Sequence, residues 1–327
     1  MSKKGFKNFK RKLAIKIYKT PLVKILNPLN LVFFHWKDRM HFIKRKKSDK
    51  KYLLIRAIDN SQGIISLYLH CLNNVKWAIS NGFIPYIDFS NELCQYYTGR
   101  DINGTKNAWE YFFNQPSNVS LEEVKNADCV ILSGWSFKKK FKVNFIDYTL
   151  EEMDNSENKD FAKKYLPINK TFEGIVEKKY KELFKGKVLG VFIRGTDYVQ
   201  IKPKGHYAQP SIDDVKEKIN EFLAKYKIDS IFVVTEDYSY FEFLKKTYGD
   251  MVFSSDYYFV KNYNKNDYVS SSFDNDKYDR GANYLIRLLL LKKCNYLISS
   301  LTNGSLFLKL MTDKKYDDEY WFQLGMY

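Results

Sequence analysis

One stretch constrains this chain more than any other. Val188-Leu189-Gly190-Val191-Phe192-Ile193 runs straight into Arg194-Gly195-Thr196-Asp197-Tyr198. An uninterrupted apolar run of this kind reads as a strand buried on both faces, and such strands belong to parallel sheets covered by helices. The run stops abruptly on a cation, a glycine and an acid. Open α/β sheets bind ligands beyond the carboxyl ends of their strands. A fixed guanidinium at that place suits a phosphate, because its planar fork matches phosphate oxygens in pairs. A short basic loop, Lys202-Pro203-Lys204-Gly205-His206, comes next, and a helical pattern starts at Ser211.

The rest of the chain repeats the alternation. Tyr52 to Arg56 reads as a strand, Ala57 to Gly63 as a polar loop, and Ile64 to Ser80 as a helix. Asn81-Gly82 is a good helix stop, since both residues tolerate the left-handed conformation. Phe83 to Asp88 and Ala127 to Ser133 read as further strands. Asn107 to Phe113 has the look of an aromatic packing helix, with an active-site lid as the alternative. Asp154 to Asn158 is polar enough to be a linker.

From Lys187 the pattern restarts. Helices are expected over Ile212–Tyr226, Tyr240–Tyr248 and Arg280–Lys293, with strands over Ser230–Thr235, Met251–Ser254 and Asn295–Ser300. The fold class is therefore α/β, with parallel sheets built from alternating strands and helices. The expected organisation is a basic segment over 1–50, an N-terminal domain over 51–180 and a C-terminal domain over 181–327. A chain of 327 residues has room for two such domains.

The net charge of +16 is concentrated. Residues 1–50 carry 16 Lys and Arg against 2 Asp, a local +14, which leaves +2 for everything else. The folded part is thus close to neutral, and a general affinity for nucleic acid does not follow. Within the basic segment, Phe6, Phe9, Leu13 and Ile17 recur at helical spacing among lysines, with Lys44-Arg45-Lys46-Lys47 further on. A basic amphipathic helix with aromatic residues fits an anionic membrane surface. The alternatives are a solvated basic face docked on the domain, or an arm for nucleic acid. No nucleic-acid module is recognisable elsewhere, so no nucleic-acid partner is expected. No apolar run reaches the roughly 18–20 residues that span a bilayer. The four cysteines form no Cys-x-x-Cys pair, and the four histidines have no metal-ligand spacing. The expectation is a reduced, cytoplasmic protein, peripheral at the inner face of the cell membrane, with no metal site.

Two further elements belong with Arg194. Leu301-Thr302-Asn303-Gly304-Ser305 follows the strand at 295–300 and enters a helix, so backbone N–H groups and the helix dipole favour an anion there. Val234-Thr235-Glu236-Asp237 places two acids at another strand's carboxyl end. No Gly-x-x-x-x-Gly-Lys-Ser and no strand-linked Gly-x-Gly-x-x-Gly is present, which argues against a P-loop enzyme and a dinucleotide dehydrogenase.

Ile193 to Tyr198, His206, Val234 to Asp237 and Ser299 to Ser305, in this order and spacing, resemble the fucosyltransferase superfamily. That group holds the α1,2- and α1,6-fucosyltransferases and the protein O-fucosyltransferases, and its signature is a strand ending in His-x-Arg-x-x-Asp. The resemblance covers about residues 187–312 and extends weakly over 52–90, where Asn60-Ser61-Gln62-Gly63 is similar to the family's N-terminal glycine loop. It implies a GT-B architecture: two Rossmann-like domains facing a cleft, with the sugar nucleotide on the C-terminal domain and the acceptor on the N-terminal one. It implies an inverting glycosyltransferase without metal or other cofactor. The favoured donor is GDP-fucose, the acceptor a glycan or lipid-linked glycan of bacterial surface polysaccharide. The alternatives are another nucleotide sugar, or a nucleotide-sugar or glycan-binding protein without turnover.

By the same resemblance Arg194, Asp197 and Glu236 are the catalytic set. Arg194 stabilises the departing diphosphate and Asp197 orients Arg194 or its loop. Tyr198, Lys204, His206, Asp237, Thr302, Ser305, Asn60, Gln62 and Gly63 would contact substrates. The catalytic base stays open among Asp59, Asp88, Asp197 and Glu236. Two positions depart from the family. Phe192 stands where the signature has histidine, and Arg287 stands about where relatives tend to carry a carboxylate near the base.

Overall fold

The computed structural model describes residues 49–57, 61–134, 143, 148–255, 277–313 and 315–327, together with the main chain of 44–45. The basic segment apart from 44–45 and 49–50, together with Asp59 and Asn60, lies outside the described residues.

Two sheets carry the fold. The first contains β1 (Lys44–Arg45), β2 (Tyr52–Arg56), β3 (Ile84–Asp88) and β4 (Cys129–Leu132), in the order β1-β4-β2-β3. Strands β2, β3 and β4 are parallel, and β1 is antiparallel to β4. Pro85 sits in β3 at the sheet edge, where a missing N–H costs no ladder bond. The second sheet is wholly parallel. It contains β5 (Val188–Phe192), β6 (Ser230–Val234), β7 (Val252–Phe253), β8 (Tyr296–Ser300) and β9 (Asp318–Phe322), in the order β7-β6-β5-β8-β9.

This topology places the ligand region. The chain winds outward from β5 through β6 to β7, then returns to the other side of β5 with β8 and β9. The strand order therefore reverses between β5 and β8, and their carboxyl ends form a topological switch point. The first sheet does the same between β2 and β4. The residues that follow β5, β8 and β2 are Arg194, Thr302 and the Ala57–Gly63 loop.

The helices of the first half are α1 (Ile64–Ser80), α2 (Leu121–Asn126), α3 (Leu150–Asp154), α4 (Ser156–Tyr165) and α5 (Lys170–Leu183). In α1, Ile64, Leu67, Tyr68, Cys71, Leu72, Val75 and Ala78 recur at helical spacing and are all buried. Gly82 follows at φ +70°, the left-handed stop the sequence predicts. The second half adds α6 (Thr196–Ile201), α7 (Ile212–Lys225), α8 (Tyr238–Tyr248), α9 (Lys277–Leu291) and α10 (Asn303–Met311). Among the described residues no helix is long and apolar enough to cross a membrane.

Two expectations need correction. Residues 107–113 form turns, not a helix. Asn107 ties the start of the segment to the end of β3: its Oδ1 accepts from the N–H groups of Phe89 and Trp109, and its Nδ2 donates to Ile87 O. The other end pairs with a different part of the chain, Asn169 N donating to Phe112 O and Asn114 N to Pro167 O. The segment is no lid either, since Trp109, Tyr111, Phe112 and Phe113 are all buried. Residues 154–158 are not a linker. Asn155 ends α3 and caps α4, accepting from Glu157 N at 2.8 Å. Asp154 is paired with Lys309 of α10.

That pairing belongs to a wider union. One apolar cluster runs from Leu53 and Ile55 through Trp109 and Phe172 to Phe192, Leu285 and Phe307, so the two halves share a core. Gly281 of α9 lies at the seam. A Cβ there would stand 2.8 Å from Tyr96 and 3.0 Å from Phe112, both ring atoms of buried side chains. Overpacking of this kind costs roughly 1–3 kcal/mol. Gly281→Ala should lower stability by about that amount in a denaturant titration. Parent-like stability would contradict a shared, close-packed seam.

Candidate functional site

Arg194 leaves the end of β5 and turns back into the protein. Its side chain is 17% exposed and lies between two acids. Nη2 is 3.1 Å from Asp197 Oδ1 and donates to it. Nε is 3.2 Å from Glu236 Oε1. That second approach is an ion pair without a hydrogen bond, because Nε has no aligned acceptor. The guanidinium also lies over the Tyr198 ring, 4.7 Å from its centroid. Burial would lower the arginine's pKa, but Glu236 and Asp197 outweigh it and hold the group above its ordinary value. It is a permanent cation.

Glu236 is buried at the end of β6. Its Oε1 accepts from Gly195 N and from Thr196 Oγ1, both at 3.0 Å. Burial pushes its carboxyl up, Arg194 pulls it down and Asp197 pushes it up again. The result lies above the ordinary glutamate value. Asp237 caps α8 through Ser239 N and takes Thr196 N at 3.1 Å. The cap explains why α8 begins at Tyr238, earlier than the apolar pattern alone indicates.

His206 reaches the same cluster. Its Nδ1 is 3.1 Å from Tyr198 Oη, and the two rings meet edge to face at 5.2 Å. Burial lowers the imidazole's pKa and that of Tyr198 moves up, again through burial. Lys204 is exposed on the same loop. Gln209 ties this loop to the end of β8, donating through Nε2 to Leu301 O at 2.9 Å.

Thr302 caps α10, as the helix-entry pattern indicates, but the two hydroxyls have work within the cap. Thr302 Oγ1 accepts from Ser305 N, while Ser305 Oγ accepts from Thr302 N and donates to Thr302 O. Ser305's single proton is thereby used. What α10 offers an anion is its N-terminal backbone and dipole. Across the seam Asn303 Nδ2 donates to Ser66 Oγ at 2.9 Å, so the first turns of α10 and α1 lie side by side. Gln62 and Gly63, immediately before α1, are brought to the same place, and Asn60 lies outside the described residues. The two switch points face each other.

Arg194, Asp197, Tyr198, His206, Glu236 and Asp237 thus form one connected cluster. Of the candidate bases, Asp197 and Glu236 both touch Arg194. Asp88 ends β3 and accepts from Ser90 N at 3.0 Å. Among the described residues there is no group of His, Cys, Asp and Glu arranged to hold a metal.

The two departing positions are both accounted for by packing. Phe192 is 1% exposed, in the shared core. Its ring lies against Gly304, where a Cβ would come within 2.9 Å of it. Arg287 is buried on α9, and its Nη1 donates to Thr235 O at 3.0 Å. It braces the end of β6, directly before Glu236. The sequence reading missed Tyr284, which also abuts Gly304 and lies within the electrostatic reach of Arg194 and Glu236. Its place one turn before Arg287 on an amphipathic helix gives no signal apart from core packing.

No protein-family model matches the chain, and no curated protein matches it in sequence. The fold itself is shared with known structures. It is the GT-B arrangement of two parallel-sheet halves, and the likeness is to fucosyltransferases. POFUT1 in complex with GDP-fucose matches with a TM-score of 0.50 at 10% identity, over 86% of this chain and 99% of that one. NodZ alpha-1,6-fucosyltransferase soaked with GDP-fucose gives 0.48 at 15% identity, over 80% and 93%. Fucosyltransferase NodZ from Bradyrhizobium gives 0.45 at 14%, over 76% and 88%. The architecture expected from the Arg194 motif is the architecture found.

Two measurements check the site's physics. A histidine at 192 would put a polar imidazole where the Phe192 ring fills the shared core, a cost of about 2 kcal/mol. Phe192→His should therefore lower the melting temperature clearly. The second concerns Glu236, whose carboxyl is raised above its ordinary 4.5. The folded state holds this proton more tightly than the unfolded chain. Its contribution to stability is complete below that ordinary value and is lost as pH rises through the raised one. Glu236→Gln, which mimics the protonated form, should gain stability relative to the parent as pH increases across the acid-to-neutral range. A difference that stays flat with pH would contradict the buried, raised carboxyl.

Proposed function

We propose that this protein is an inverting glycosyltransferase that moves a sugar from a nucleotide-diphosphate donor, GDP-fucose in the favoured case, to a glycan acceptor. The observation that carries the reading is Arg194: a half-buried, permanently charged guanidinium at the switch point between β5 and β8, beside the N-terminus of α10. When the acceptor hydroxyl attacks the anomeric carbon, the bond to the diphosphate oxygen breaks and negative charge develops there. Preorganised donors at that position lower the barrier without reorganisation. Arg194 supplies charge and the amino end of α10 supplies backbone N–H groups. Tyr198 and His206 border the same space. The similarity in fold to enzymes crystallised with GDP-fucose supports this donor class.

Charge balance explains why a raised Glu236 suits the role. With both neighbouring carboxylates ionised, the cluster of Arg194, Asp197 and Glu236 is net negative and repels a diphosphate. With Glu236 protonated it is neutral. No step in the proposal needs a metal.

The second reading is a different base on the donor. Phe192 and Arg287 stand at the two departing positions, and both are committed to packing or to backbone. The acceptor is proposed to be a glycan or lipid-linked glycan of bacterial surface polysaccharide, handled at the inner face of the cell membrane. The support is the charge of residues 1–50, which suits an anionic lipid surface.

Nucleoside diphosphate release from GDP-fucose, with a glycan acceptor panel, tests the reaction. Arg194→Ala should lower the rate by about 100-fold or more. Undiminished activity would sink the mechanism. A thermal-shift comparison of GDP, UDP and CDP tests the base. A nucleotide at 100 times its Kd adds about 2.7 kcal/mol of stability.

A further inference from the structure

Thr196 is the one residue in the motif whose identity the backbone opposes. Its φ is +46°, in the left-handed region, and it is buried. A β-branched residue is a genuine outlier there, and glycine or asparagine is the ordinary occupant. Such strain persists only where the surroundings over-determine it.

The surroundings here are two acids. Gly195 N points at Glu236 Oε1 at 3.0 Å, and Thr196 N points at Asp237 Oδ2 at 3.1 Å. Two successive N–H groups aimed at the adjacent carboxylates of one strand end pull the chain into the left-handed turn. The turn starts α6 and swings Asp197 back onto Arg194. None of this needs a threonine. The side chain adds something else: Oγ1 lies 3.0 Å from Glu236 Oε1 and 3.2 Å from Asp197 Oδ1. These are the same two oxygens that flank the guanidinium. One hydroxyl proton serves one of them at a time, so the hydroxyl bridges the two carboxylates.

We propose that Thr196 is a positioning residue, whose hydroxyl holds Glu236 and Asp197 on opposite sides of Arg194 and so fixes the guanidinium in its anion-binding pose. The proposal rests on the reading of Arg194 as the diphosphate contact, but its geometric half can be tested without that reading. The charged and titratable groups around Glu236 are Arg194, Asp197, Tyr198, the adjacent Asp237, Tyr284 and Arg287 on α9 and Tyr240 on α8. The Thr196 hydroxyl draws the Glu236 carboxyl downward, so losing it moves that titration to higher pH.

Three variants of the full chain separate hydroxyl from strain. Thr196→Ser keeps the hydroxyl, Thr196→Gly removes it and relieves the backbone, and Thr196→Val removes it while keeping the shape. Three readouts apply: melting temperature, the guanidinium proton–nitrogen NMR signals of Arg194 assigned by their loss in Arg194→Ala, and GDP titration as a function of pH. Thr196→Ser should match the parent in all of them. Thr196→Gly should melt no lower than the parent. It should nevertheless show a freely rotating Arg194, at least tenfold weaker GDP binding, and a pH profile moved upward. Thr196→Val should share the loss of order, and Thr196→Gly carries the test if the valine variant does not fold. An Arg194 signal in Thr196→Gly that is as ordered as in the parent, or an unchanged pH profile, would overturn the proposal. GDP binding that survives Arg194→Ala would instead overturn the functional reading and leave the NMR comparison to decide on Thr196.

Discussion

The burial of one guanidinium between two carboxylates organises the site. Arg194 cannot lose its charge, so it enters the protein only with partners. Those partners arrive from two directions. Glu236 comes from the neighbouring strand β6, and Asp197 from the turn that follows Arg194 itself. The remaining contacts serve that arrangement. Arg287 braces the end of β6 through Thr235 O, and Asp237 caps α8 while holding Thr196 N. Each acid holds one side of the guanidinium, so losing either one frees that side of the group. The cluster is therefore fixed as a unit, and fixed geometry is what a transition-state contact requires.

The parts of the fold legible in the sequence were those in which burial dictates composition. Strands β2, β5, β6 and β8 are enclosed on both faces, so they read as apolar runs, and Arg194 and Glu236 stood out because they end such runs. Strand β9, Asp318 to Phe322, gave no such signal, for it is the edge of its sheet and is buried at only one of its five residues. The segment 107–113 misled for a different reason. Its aromatic residues are core residues, but its two ends are tied to other segments, Asn107 to the end of β3 and the main chain of Phe112 and Asn114 to that of Asn169 and Pro167. Periodicity reports which residues are buried, and says nothing of who pairs with the main chain. The same limit hid Thr196, whose role depends on a dihedral angle and on acids some forty residues further along the chain.

Phe192 shows how one substitution can redistribute tasks. The residue sits on β5 two positions before Arg194, and its ring fills the space beneath Gly304. A side chain pointing there belongs to the seam between β5 and α10. In this protein the position supports the helix N-terminus from below, and under the proposed function recognition falls to groups beyond the strand end. Tyr198 and His206 are the nearest such groups, stacked edge to face and in contact with Arg194 through the Tyr198 ring.

The shared core bears on how the two halves work together. A GT-B enzyme with a loosely joined pair of domains can close on its donor by rotation. Here α10 and α9 pack directly on the first half, Gly281 meets Tyr96 and Phe112, and Asn303 is bonded to Ser66. Moving one half against the other would expose apolar surface along this seam, at roughly 25 cal/mol for each Å² uncovered. Opening several hundred Å² would cost several kcal/mol, comparable to the whole stability of many domains. The two switch points are therefore held together by packing before any ligand arrives. The loops that border them include the Lys202–Gln209 segment, whose His206 meets Tyr198 over Arg194. That segment is tied at Gln209 to the end of β8, at Gly205, His206 and Ala208 to the main chain of Gly325 and Tyr327, and through the Tyr207 ring to the shared core.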